Sequence, residues 1–361
     1  MKIAVRIVVL TAMLIVLPML GVWVAGLPVL RYMEFPPLTR YVEPAPFSWL
    51  AFAGYGLFVL AWLVPFGRQA WCTWRRIRGE AAAREGERRR FPWWGWLGVA
   101  LGVGGWVLAW TRFAWFAPFQ VHTFTPLWIA YVIVINALTW RRTGRCLLTH
   151  RTRLFLLLFP LSAGFWWFFE YLNRFVQNWY YVEVVFGPLE YFFYATLPFS
   201  TVLPAVLGTR EWLLSFAVVD RGFAEFHPMT VRRSRLLGGV VLAVTGAGLA
   251  LIGVEPNFLF PLLWISPLLI IVCLKAVLGQ PHVFSPLVQG DWRVIVASAV
   301  GALVCGFFWE MWNYGSLAQW NYAVPFLQRF KIFEMPLVGY AGYLPFGLEC
   351  AVVASMIEPE P

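Results

Sequence analysis

Two glutamates stand inside long apolar stretches of this 361-residue chain, and each is followed three residues later by an asparagine. The first lies in GFWWFFEYLNRFVQNWYY, residues 164–181, the second in GFFWEMWNYGSLAQWNY, residues 306–322. Glu170 aligns with Glu310 and Asn173 with Asn313; after one gap, Trp179 aligns with Trp320 and Tyr181 with Tyr322. A spacing of three puts both polar groups on one face of a helix. A charged side chain near the middle of a bilayer costs about 2.5–3.5 kcal/mol on insertion scales, so that face must look into a bundle or a wet cavity. There, a carboxyl that keeps its proton beside one that has lost it supplies a general acid and a general base. The competing use is structural, because Glu and Asn also tie membrane helices together by hydrogen bonds.

Three more carboxylates gather nearby. Glu190 follows Pro188 by two residues, Glu334 precedes Pro336 by two, and Glu349 stands deeper in the last apolar run, within PFGLECAVV. The residue types make Glu170, Glu310 and Glu190 the candidate catalytic acids. Asn173, Asn313, Trp179, Tyr181, Trp320, Tyr322, Glu334 and Glu349 are the candidate substrate-binding groups, with the W-x-Y pairs equally suited to anchoring at the lipid–water boundary. Five Cys and four His are scattered without a C-x-x-C pair, so neither a metal site nor a cofactor is expected. The His count excludes the histidine-rich di-iron membrane oxygenases. There is no nucleotide-binding loop and no G-x-S-x-G nucleophile elbow.

The elements that must hold these groups are membrane helices. Hydrophobic residues make up 60% of the chain and charged residues 13%, against roughly 25% charged in an ordinary soluble domain. Apolar runs near the 20 residues needed to cross a bilayer fall at about 4–26, 47–66, 94–116, 125–140, 154–176, 188–208, 236–254, 258–278, 293–314 and 336–357. An all-α, polytopic fold of about ten transmembrane helices follows. With the N-terminus in the cytoplasm, 22 of the 28 Lys and Arg fall in cytoplasmic segments, which places both termini of this multi-pass cell-membrane (inner-membrane) chain inside. A cleaved signal peptide is the alternative for the first run, but the run is long for one and no A-x-A-like site follows. The net charge of +10 thus marks topology, and no nucleic-acid partner is expected. The arginine-rich connector at 68–90 either attracts anionic lipid headgroups or is a solvated loop held inside by its charge.

The likeness between the two glutamate segments extends along the chain. Pro188-Leu189 meets Pro336-Leu337, Leu197-Pro198-Phe199 meets Leu344-Pro345-Phe346, and Pro126-Leu127-Trp128-Ile129 resembles Leu262-Leu263-Trp264-Ile265. This predicts two copies of a four-helix unit, at 93–210 and 236–361, joined by a cytoplasmic connector at 211–235 and preceded by two helices and a basic loop at 1–92. An even number of helices per copy inserts both the same way, so the copies are related by an axis along the membrane normal.

The glutamate at a helix exit, the W-x-Y loop and GPLEYFF (Gly187 to Phe193) resemble the tandem-repeat membrane lycopene cyclase family, with a related look in the integral-membrane carotenoid hydratases. That family carries a P-x-E-E-Y-type motif opening the next helix. Here the second glutamate of the pair is Tyr191, and the second copy reads FEMPLVGY with no such pair. The resemblance implies a lyase- or isomerase-type enzyme of carotenoid or other isoprenoid biosynthesis, in which Glu170, Glu190 or Glu310 protonates a polyene and aromatic faces stabilise the cation. The expectation is therefore an outer-leaflet-facing cavity between the two repeats, with an apolar isoprenoid or lipid as partner. A proton-coupled carrier suits duplicated halves and intramembrane carboxylates as well, and a non-catalytic assembly subunit is the third possibility.

Overall fold

A computed structural model describes residues 8–37, 42–80, 89–182 and 185–357. Lys2, Arg6, Arg40 and the part of the basic connector at 81–88 lie outside the described residues. The chain is mostly helical. In order, the elements are α1 (Val8–Val24), α2 (Trp49–Glu80), α3 (Trp93–Trp110), α4 (Phe124–Thr143), α5 (Thr152–Val176), β1 (Trp179–Val182), α6 (Pro188–Phe199), α7 (Val202–Leu214), α8 (Ala217–Phe223), α9 (Ser234–Leu251), α10 (Pro261–Val277), α11 (Arg293–Gly315), β2 (Gln319–Tyr322), a hairpin of β3 (Lys331–Ile332) and β4 (Met335–Pro336), and α12 (Tyr343–Ala354). Short helical turns fill several of the connections.

Seven helices are long and apolar enough to cross a membrane, and an eighth counts if α3 and the 3₁₀ segment Ala114–His122 form one broken span. The third apolar run, drawn at 94–116, is not one straight helix. It stops at Trp110, Thr111 turns extended, and the 3₁₀ segment leaves at 108°. Two of the ten runs, Val8–Val24 and Pro261–Val277, give shorter apolar helices. At 1.5 Å per residue, the 17 residues of α10 span about 25 Å, less than the ≈ 30 Å hydrocarbon core, and Pro267 interrupts it. The last run likewise begins with a strand and a 3₁₀ turn, and only then becomes α12.

The core lies among α4, α5, α7, α10, α11 and α12. Trp128 sits 4.9 Å from Trp309 and 5.2 Å from Trp312, centroid to centroid, while Phe346 meets Phe165, Trp166, Phe169 and Trp309. Gly347 permits a close approach in the core: a Cβ there would stand 2.0 Å from the Ser298 carbonyl oxygen, so α11 and α12 touch backbone to backbone. α2 behaves differently, since none of its apolar window is buried. It is fastened at its start by Ser48 N–H on the Phe326 carbonyl at 3.0 Å and near its middle by Phe66 among Phe223, Phe226 and Trp292.

The arginine-rich connectors meet at one end of the molecule. Gln69 Nε2 donates to the Gly222 carbonyl at 2.7 Å, Arg142 Nε to Ser215 Oγ at 2.7 Å, and Arg293 Nη1 pairs with Asp220 at 2.8 Å. The Arg89 guanidinium lies 5.6 Å over the Trp140 ring. At the opposite end, β1 and β2 pair antiparallel, Trp179 facing Tyr322, Tyr180 facing Asn321 and Tyr181 facing Trp320. α5 and α11 therefore point the same way, and the strands join their far ends.

Candidate functional site

Each carboxylate is built by a helix exit. α5 ends when Gln177 takes a left-handed conformation (φ 49°) and its N–H bonds the Asn173 carbonyl at 2.7 Å. The chain then doubles back, and the Asn173 amide holds the start of the strand: Nδ2 donates to the Trp179 carbonyl at 2.8 Å and Oδ1 accepts its N–H at 3.4 Å. Asn313 repeats this on Trp320 at 2.7 and 2.8 Å. Both asparagines thus spend their amides on the strand backbone rather than on the neighbouring carboxylate. With the strand pinned, its Trp and Tyr swing back over the glutamate one turn earlier on the helix.

Glu170 is 3% exposed. Its Oε1 accepts from Trp179 Nε1 at 3.1 Å and from the Tyr181 hydroxyl at 2.6 Å, while Oε2 accepts from the Tyr191 hydroxyl at 3.4 Å. Glu310 is fully buried. Its Oε1 accepts from Tyr322 at 2.7 Å and Tyr343 at 2.6 Å, and Trp320 Nε1 donates to the Tyr322 hydroxyl at 2.9 Å rather than to the glutamate. The short O–H···O contacts have the length of charge-assisted bonds. Glu310 Oε2 has no protein partner. Burial, then the adjacent carboxylate, pushes the Tyr181 and Tyr322 hydroxyls well above the ordinary phenol range, so both remain donors at neutral pH.

The other carboxylates stand apart. Glu190 is exposed at the start of α6 and accepts the Gly187 N–H at 3.2 Å, the glutamate half of a capping box, with Pro188 at the first helical position. Glu334 pairs with Lys331 at 3.2 Å within the β3–β4 hairpin. Glu349 is fully buried in α12, its Oε1 accepting the Leu268 N–H at 3.2 Å. Tyr191 and Tyr343, which complete the two cages, were not among the residues singled out in the sequence. Tyr191 was visible only as the place where the family's second glutamate is lost, and Tyr343 aligns with Thr196, so the likeness between the copies conceals it.

Glu170 also borders open space. A cleft of about 430 Å³ runs along α5, walled by Met19, Met33, Phe35, Trp167 and Tyr171, with Glu170 and Arg174 as its charged residues. It lies between α5 and the N-terminal segment, not between the two similar halves where a cavity was expected. Arg174 causes this: its Nη1 donates to the Tyr32 carbonyl at 3.1 Å and the Glu34 carbonyl at 2.5 Å, drawing the segment after α1 onto α5. The volume falls in the range of small-molecule sites, and the mixture of thioethers, rings and two charges suits an amphipathic guest. From the cleft inward, rings continue from Trp179 through Trp166 and Trp309 to Tyr343, beside Glu310. Comparison with protein-family models, with curated proteins and with solved structures finds no match for this chain.

Proposed function

We propose that the chain is a ten-helix cell-membrane protein with both termini in the cytoplasm, built from two parallel four-helix copies, and that it acts on an apolar isoprenoid or lipid in the cleft beside Glu170. One observation carries the functional half of this reading: a buried carboxylate, gripped by three aromatic donors, forms part of the wall of a cleft lined by thioethers and rings, with Arg174 as its other charged residue. Such a group, once protonated, delivers its proton to a carbon–carbon double bond. The positive charge then formed lies among Trp167, Tyr171 and Phe35, whose faces attract cations. A second double bond of the same molecule attacks it to close a ring, and loss of a neighbouring proton to the Glu170 carboxylate discharges the new cation. Without that attack, proton loss shifts the double bond, and addition of water with loss of one of its protons gives an alcohol. Anionic headgroups gather at the arginine-rich end in the same arrangement.

The experiment is mass spectrometry of lipids retained by the purified chain and by Glu170→Gln. The reading expects a polyene, quinone or polyprenyl compound bound by both forms and converted only by the parent. Bulk phospholipid alone, in both forms, overturns it. The second reading, a proton-coupled carrier, is favoured by Glu310 Oε2, an acceptor buried without a partner and remote from any chemistry proposed for the cleft.

A further inference from the structure

Glu349 has a different setting from the two caged glutamates. It is fully buried and makes a single hydrogen bond, from Leu268 N–H to Oε1, while Oε2 has no partner. An unpaired carboxylate in such a place is strongly disfavoured, and the usual outcome is that the group takes up a proton. Pro267, next to Leu268, has no N–H to give the Leu263 carbonyl, so the turn of α10 that Glu349 meets also lacks one helix hydrogen bond. The ionisable groups nearest its neighbour Cys350, besides Glu349 itself, are Cys305 of α11 and Arg210 of α7. Arg210 is bound to Glu211 at 2.9 Å.

Its depth also sets it apart. Glu349 follows Tyr343, the donor to Glu310, by six residues, about 9 Å along the helix toward the arginine-rich end. Phe346, 1% exposed and wedged against Phe165, Trp166, Phe169 and Trp309, fills the level between them. On the other side, α7 leads from Arg210 to the half-exposed Glu211 and the connector at that end. We propose that Glu349 is a proton-binding site of its own, loaded and emptied from the arginine-rich end and separated by the Phe346 ring cluster from the carboxylates at the strand end. The proposal does not depend on what occupies the cleft.

Dicyclohexylcarbodiimide modifies carboxyls that are protonated in apolar surroundings, so it reads this site in the unaltered full-length chain. Right-side-out and inverted membrane vesicles are treated while the outer bath is acidified, and the Glu349 peptide is followed by mass spectrometry. Modification of Glu349 should rise severalfold only in the vesicles that present the arginine-rich end to the acidified bath. Glu349→Gln should lose the adduct while labelling elsewhere persists. No adduct at Glu349 in folded chain, or a rise that follows acid at the strand end, overturns the proposal. Retention of lipid in the cleft is a separate measurement and leaves this outcome unchanged.

Discussion

At the scale of single residues, the glutamate–asparagine pairs divide their work. The glutamates accept the strands' aromatic donors, and the asparagines fix the strands that carry those donors. Removing the Asn173 or Asn313 amide leaves a strand carbonyl and N–H without partners inside the bundle, at about 1–3 kcal/mol for each group left unsatisfied. Asn173→Ala and Asn313→Ala should therefore lower the thermal midpoint in detergent, and Asn→Asp, which keeps one acceptor but no donor, should recover only part of it. An unchanged midpoint in both Ala variants would mean that the amides are not structural. The existence of these pairs was legible in the sequence because polar identities repeated in an apolar background are rare. The partner of each amide was not, since helix spacing shows that two side chains share a face but not that the chain turns back over it. The donors Tyr191 and Tyr343 come from different positions of the following helix, which no register between the copies reveals.

At the scale of elements, hydropathy draws ten runs, of which seven, or eight with the broken one, become helices long enough to cross a membrane among the described residues, and the differences lie where backbone chemistry overrides composition. Composition stays apolar across Trp110 to Phe116, so nothing in a hydropathy window marks the sharp bend after α3. Capping is the opposite case. Gly187-Pro188-Leu189-Glu190 reads as a helix start as clearly as it reads as half of a catalytic motif, and in the structure Glu190 binds the Gly187 N–H and not Glu170. A capping interaction is worth about 1 kcal/mol. Glu190→Ala should accordingly reduce stability slightly and leave lipid conversion at the parent's level, whereas Glu170→Gln should retain the lipid and lose its conversion. Loss of conversion in Glu190→Gln with an unchanged midpoint would return Glu190 to the chemistry.

At the scale of the molecule, the four-residue ladder between β1 and β2 ties the exits of α5 and α11 to each other, beyond the core contacts their helices share. Each strand is locked to its own helix by an asparagine, so pairing the strands sets the distance between α5 and α11 and with it the separation of Glu170 and Glu310. The ladder also exchanges equivalent residues across its centre: Trp179 faces Tyr322, and Tyr181 faces Trp320. A pairing of that kind has a local two-fold axis between Tyr180 and Asn321. Directly opposed residues of antiparallel strands have Cα atoms about 4.5–5.5 Å apart, within the span a disulfide bridges. Tyr180→Cys combined with Asn321→Cys should oxidise readily to an intramolecular bond between segments 141 residues apart in sequence, as 321 − 180 = 141. Cysteines shifted by one position, at Tyr180 and Trp320, face opposite sides of the ladder and should stay reduced under the same conditions. Of the five native cysteines only Cys72 is exposed, so replacing it clears the background for a gel-shift assay after cleavage between the strands. Equal cross-linking of both pairs, or of neither, would mean that the halves are not joined in this register, and the common support of the two carboxylates would go with it.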